Sequence, residues 1–143
     1  KQNFTLCHEL GHFILRHDGL YFTETIDNPE SIIEREANIF SAIVLMPDIV
    51  LLSKIYYNCE SFQKVQNSLE VSKQALDFRL LDLLREHFPD KEGQIKEAVR
   101  EYIGRNNFSI YNLFHTIKEQ IIEEFNQYRP SLMNQILNRI DEK

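Results

Sequence analysis

Two histidines with an acid between them, His8-Glu9-Leu10-Gly11-His12, form an H-E-x-x-H pattern near the start of the chain. On a helix, residues four apart sit about 40° from one another and one turn along the axis, so both imidazoles can converge on one ion. Glu9 lies off that line, able to reach a water held by the metal while the histidines hold the metal itself. The chemistry needs this division. A zinc ion with three protein ligands keeps a position for water, lowers the pKa of that water to about 7 and polarises a carbonyl, while a neighbouring carboxylate relays the proton. Gly11 costs a helix about 1 kcal/mol relative to alanine, which makes sense where a second backbone or a substrate comes close.

The third ligand is sought in the next helical segment. With Ile32 set at 0° on a helical wheel, Ile43 falls at about 20°, Glu36 at about 40°, Phe40 at about 80°, Ile33 at about 100° and Val44 at about 120°. Glu36 thus stands within the apolar face, where a carboxylate is costly to bury unless it is paired or binds a metal. Glu34, at about 200°, points away and reads as a solvent-exposed acid. The expected centre is therefore His8, His12 and Glu36 around zinc, with Glu9 as general base.

The elements that must position these residues are helical. Asn3 can cap a first helix that Asp18-Gly19 ends. Residues 20–27 are aromatic and β-branched and form the one strand candidate. Asn28-Pro29 starts a second helix running to Pro47, and Pro47 can open a third through Tyr56 that stops at Asn58. Shorter apolar repeats predict helices from Ser61 to about Leu69, from Lys73 to His87 with Leu76, Leu80, Leu83 and Leu84 on one stripe, and from Gln94 to Ile103 ending at Gly104. Asn107 begins a long helix along Ile110, Phe114, Ile117 and Ile121, and a last short helix from Ser131 to Ile140 follows Pro130. The fold is expected to be mainly α.

Composition sets outer bounds. With 143 residues, 43% hydrophobic and 27% charged, the chain is of single-domain size, and collagen-like and disordered classes are excluded. A net charge of -6 opposes phosphate backbones and argues against nucleic acid as the main partner. The longest apolar run, Ile49 to Leu52, is too short to cross a bilayer, so a soluble chain is expected. Cys7 and Cys59 lack the spacing of a disulfide framework or a cysteine zinc site, which suits a reducing, cytoplasmic setting.

The segment Phe4-Thr5-Leu6-Cys7-His8-Glu9-Leu10-Gly11-His12, followed by Glu36-Ala37-Asn38-Ile39-Phe40-Ser41 and by Leu45-Met46-Pro47, resembles the ImmA/IrrE family of bacterial metallopeptidases, which are zincin-like gluzincins. The resemblance continues more weakly from Leu69 to Leu84, through Leu69-Glu70-Val71-Ser72, Ala75 and Arg79-Leu80. The resemblance does not extend to residues 90–143. The family's ligand roles carry over to His8, His12 and Glu36, and its general-base role to Glu9. Cys7 departs mildly from the small apolar residue common at that place. The resemblance implies a zincin-like helical core and a cytoplasmic zinc protease that cleaves a helix-turn-helix transcriptional repressor, often encoded on a mobile element or in a stress regulon. It also implies a β-sheet ahead of the motif helix, whose edge strand holds the substrate. Only Lys1 to Asn3 precede that helix here, so the sheet is expected upstream of this chain or to be missing from it, and this length of chain is expected to bind metal yet be a weak or inactive peptidase.

Three segments follow from this reading: 1–47, the metal-binding helix pair; 48–89, a helix-turn-helix-like stretch packing on it; and 90–143, a helical region of unassigned role. His17 lies about 180° around the helix from His8 and reads as a capping or surface residue. Asn38 reads either as a group orienting a neighbouring loop or ligand or as a solvated helix residue. Tyr21, Tyr56, Tyr57, His87 and His115 are all available to stabilise an oxyanion, and the sequence does not choose among them. Lys73, Arg79 and Arg85 could serve as phosphate contacts, but Asp77, Asp82 and Glu86 offset them. The leading function is a zinc endopeptidase acting on a repressor. The alternative is a non-catalytic zincin-like regulator that binds protein or DNA.

Overall fold

Pro29, Pro47 and two capping serines, Ser61 and Ser72, punctuate the chain into helices. The computed structural model describes residues 2–15 and 29–141, with side chains described for 3–15 and 32–127. The strand candidate at 20–27, the Asp18-Gly19 helix end, His17 and Tyr21 lie outside the described residues. Among those described there are seven α-helices and no strand: α1 (Gln2–Ile14), α2 (Pro29–Leu45), α3 (Asp48–Leu52), α4 (Phe62–Leu69), α5 (Lys73–His87), α6 (Glu92–Ile103) and α7 (Phe108–Asp141).

The local chemistry accounts for most of these boundaries. Ser61 Oγ accepts the Lys64 amide at 3.2 Å and Ser72 Oγ accepts the Ala75 amide at 3.0 Å, each satisfying a first-turn donor that has no intrahelical partner. Three departures from the periodicity stand out. The third helix does not run evenly to Asn58: after α3 the backbone widens into one π-helical turn at Ser53–Tyr57, where the Asn58 amide reaches back to the Ser53 carbonyl at 2.9 Å. Gly104 does end α6, but the left-handed residue is Arg105, with φ 73°. Pro130 does not separate two helices, because α7 continues through it to Asp141. A proline inside a helix removes one amide donor, and the long repeat on either side tolerates that loss.

The core is made by α3, the π-turn, α4, α5, α6 and α7. Leu51, Leu52, Ile55, Leu76, Leu80, Leu83, Leu84, Ile95, Tyr102, Ile110, Phe114, Ile117 and Ile121 are buried together, so 48–89 and the described side chains after residue 90 share a single apolar interior. Tyr102 donates its hydroxyl to the Glu60 carbonyl at 2.7 Å inside that core. Burial, with the nearby Glu60 carboxylate, pushes the phenol above its ordinary range, so it remains a donor. No single described helix is long and apolar enough to cross a membrane. The one bent pair of helices that passes on length and composition, Ile32–Leu45 with Asp48–Tyr57, carries Leu51, Leu52 and Ile55 into this interior.

Helix α1 packs mainly on α2. The contact is close because Gly11 is buried against Ala37, which is also fully buried. A Cβ on Gly11 would stand 3.0 Å from Phe40 Cδ1, 3.3 Å from Ala37 Cα and 3.4 Å from the Ala37 oxygen. The missing side chain thus sets the spacing of the two helices, and through it the spacing of whatever they hold between them. Alanine at Gly11 would add about 1 kcal/mol of helix propensity, set against a crowding cost of about 1–3 kcal/mol. Valine adds two more methyl groups to the same gap. Gly11→Val is expected to keep the core, since that lies in other helices, while lowering metal affinity by about 10–100-fold. Calorimetric metal titration beside a thermal melt checks this, and parental affinity in the valine variant would refute the spacing argument.

Candidate metal centre

Each of the two packed helices contributes a pair of polar residues four apart. On α1 these are His8 and His12; on α2 they are Glu34 and Asn38. Their side chains meet across the helix contact. His8 Nε2 lies 2.8 Å from Glu34 Oε2, His12 Nε2 lies 3.0 Å from Glu34 Oε1, and the two Nε2 atoms are 3.1 Å apart. On its far side, His8 places Nδ1 2.8 Å from Asn38 Oδ1.

Hydrogen bookkeeping makes this triangle informative. Asn38 Oδ1 only accepts, so the neutral His8 ring carries its proton on Nδ1 and turns the Nε2 lone pair inward. The Glu34 carboxylate is likewise an acceptor. With both rings neutral, a His12 proton on Nε2 cannot serve both neighbours and His8 Nε2 meets Glu34 Oε2 lone pair to lone pair; a proton added to His8 Nε2 serves Glu34 but leaves either the His8–His12 or the His12–Glu34 contact unmatched. One cation between the three groups satisfies every contact. Two imidazole nitrogens and one carboxylate oxygen, all within 4.8 Å of one another, are a donor set that zinc accepts, and an oxygen acceptor behind a ligating histidine, the place Asn38 Oδ1 takes here, is the usual way its tautomer and ring angle are fixed. The site is open on one side: the histidine side chains are 16% and 20% exposed and that of Glu34 is 56% exposed.

His8 and His12 thus come together as their spacing predicts, and Glu9 is exposed on α1 next to His8 in sequence. Glu36 does not join them. The acid brought to the two histidines is Glu34, and the reason is the phase of α2. The wheel took Ile32 and Ile43 as part of the buried face, but these residues are exposed, Ile43 at 52%. The buried face is instead Ile33, Ala37 and Ser41, centred at about 140° on that wheel, which leaves Glu34 about 60° from its middle and Glu36 about 100° away on the other flank. Small residues at Ala37 and Ser41 mark a close helix contact more faithfully than the larger apolar ones do. The signal that could have found Glu34 is its spacing: Glu34 and Asn38 repeat the four-residue interval of His8 and His12.

The other candidates lie elsewhere. The Tyr56 hydroxyl bonds His115 Nδ1 at 2.6 Å and accepts from Lys118 Nζ at 3.3 Å, Tyr57 packs edge-on against the Tyr56 ring, and His87 Nδ1 faces Gln120 Oε1 at 3.0 Å. These groups belong to the contact of α7 with the π-turn and α5. Arg79 is buried, donating from Nε to the Met46 carbonyl at 2.9 Å and pairing with Asp48. Arg85 is held by Glu92, with Nη2 2.6 Å from Oε1. Hydrogen bonding to Glu92 raises the Arg85 pKa and depresses that of Glu92. A cleft of about 760 Å³ runs beside the centre, lined by Phe4, Glu34, Asn38, Ile39 and Phe78 among others.

No curated protein and no solved structure matches the chain. A sequence-family profile described as the IrrE N-terminal-like domain of the M78 peptidases matches residues 1–81, a span that takes in both polar pairs, the Met46-Pro47 junction and α5 as far as Leu81. That span exceeds half of the chain and encloses the whole candidate centre, and the chain belongs to the ImmA/IrrE family of metallopeptidases.

Proposed function

We propose that the protein is a zinc-dependent endopeptidase of the cytoplasm that cleaves a helix-turn-helix transcriptional repressor. The observation that carries the chemistry is the gathering of the His8, His12 and Glu34 ligand atoms within 4.8 Å of one another, with Glu9 following His8 on the same helix. His8, His12 and Glu34 hold the ion, so Glu34 takes the place first expected of Glu36. Asn38 fixes the His8 ring. When bound, zinc in such a set supplies a Lewis acid and brings the pKa of water down to about 7. Glu9 removes the proton from the attacking water and passes it to the leaving amine, a transfer worth about 10²–10⁴-fold. The exposed side of Glu34 and the adjoining cleft give a polypeptide access to the centre. The repressor substrate rests on the family alone.

The non-catalytic alternative, acting by protein or DNA binding, has less support. Two of the three cations that could contact phosphate are committed within the chain, Arg79 to Met46 and Asp48 and Arg85 to Glu92. Glu9→Gln decides between the readings, since it keeps a side chain of the same size without the base. The variant is expected to retain metal and to lose relief of repression in a reporter strain carrying the cognate repressor. Undiminished relief by this variant would sink the peptidase reading.

A further inference from the structure

A second group of ligand-type side chains gathers away from the helix pair, one from each of three core elements: Asp48 in the first turn of α3, His87 at the end of α5 and Glu124 on α7. One ring nitrogen and one oxygen from each carboxylate lie within 4.8 Å of one another. The His87 ring shows how they are disposed. Its Nδ1 faces Gln120 Oε1 at 3.0 Å, an acceptor, so the neutral ring holds its proton there and carries a lone pair on Nε2. That Nε2 atom is buried and has no hydrogen-bond partner. A buried acceptor without a donor is costly, and two carboxylates beside it make the local field more negative still. Arg79 offsets part of this by pairing with Asp48 Oδ1, but it supplies no hydrogen to His87.

We infer that Asp48, His87 and Glu124 form a second cation site, separate from the His8–His12–Glu34 centre, that takes a divalent first-row transition metal. One imidazole nitrogen with two carboxylate oxygens is a borderline-hard donor set suited to zinc or manganese, not to copper(I) or other thiophilic ions. Its position gives it a structural role. Among the described side chains of α7, Ile121 is the last fully buried one and 123–127 are exposed, so the site lies just beyond the described core contacts of that helix. A cation there ties α7 to the ends of α3 and α5, linking Asp48 of the IrrE-like segment to a helix outside it. This inference does not depend on the peptidase reading, because it uses none of the same residues.

The test begins with the whole chain carrying His8→Ala and His12→Ala, which removes the first centre. After incubation with zinc or manganese and desalting, this background is expected to retain about one equivalent of metal by elemental analysis, to melt at a higher temperature with metal than without, and to give a cobalt visible spectrum of nitrogen and oxygen ligation. His87→Gln in that background is expected to lose the metal and the thermal shift. Glu124→Gln changes an exposed side chain and therefore folds, and it is expected to weaken retention at least about tenfold. A background that retains no metal would overturn the site, as would one whose retention survives both substitutions.

Discussion

Replacing Glu34 with alanine is expected to abolish metal binding at the His8–His12 centre, whereas Glu36→Ala leaves it in place. The expectation follows from the triangle of contacts. Glu34 is the group that offers one oxygen to each imidazole, at 2.8 and 3.0 Å, and removing it leaves two neutral nitrogens with no charge to balance a divalent ion. Disturbing a group that merely supports a ligand costs about 10–100-fold in metal affinity, so loss of a charged ligand should exceed about 100-fold. Isothermal titration with zinc in the His87→Gln background isolates this centre from the second one. Glu36→Ala binding as weakly as Glu34→Ala would mean that both acids are needed. Weak binding by Glu36→Ala alone would restore the arrangement expected from the helical wheel.

That comparison also shows which parts of the site a sequence can reveal. The His8–His12 pair is a local property: four residues on one helix place two rings together whatever else the chain does. The third ligand depends on which side of α2 meets α1, and that is settled by the tightest contact, Gly11 on Ala37, not by the widest apolar stripe. Ile32 and Ile43 look like part of a core face by hydrophobicity alone, yet they are exposed, so average hydrophobicity turns the helix the wrong way. Asn38 could be read as ligand-orienting or merely solvated for the same reason, since its role becomes visible only once Glu34 is placed.

Elements were legible where the signal is short in range. Ser61 and Ser72 cap the helices they precede, and the leucine stripe of α5 is buried as its spacing predicts. The widened turn at Ser53–Tyr57 has no such signature, because its hydrogen bonds differ from those of an α-helix only by which carbonyl each amide selects. Pro130 misleads in the opposite sense. It weakens a helix by one bond locally, and the apolar repeat anchoring α7 at Ile110, Phe114, Ile117 and Ile121 outweighs that loss.

Arg79→Met should be strongly destabilising at the corner between α2 and α3. Helix α2 ends at Leu45 and α3 begins at Asp48, with Pro47 between them and therefore no amide at that position to satisfy a carbonyl. Arg79 reaches across from α5, donates from Nε to the Met46 carbonyl and pairs with Asp48, while its own side chain is only 5% exposed. The guanidinium thus closes the corner at two points, which a lysine cannot do with one ammonium group. Methionine keeps the apolar stem but leaves the Met46 oxygen unsatisfied and the Asp48 charge without its partner. Breaking a buried pair from one side costs about 3–5 kcal/mol, and because Asp48 is 26% exposed the lower end of that range applies. Asp48→Asn added to Arg79→Met removes the stranded charge and should recover part of the loss, so the two changes together cost less than their sum. Urea unfolding of the parent, both single variants and the double variant, all with chelator present to silence both cation sites, gives the coupling directly. Strict additivity would show that Arg79 stabilises the corner through its carbonyl bond alone. A loss below about 1 kcal/mol for Arg79→Met, the range of an exposed ion pair, would show that the corner holds without it.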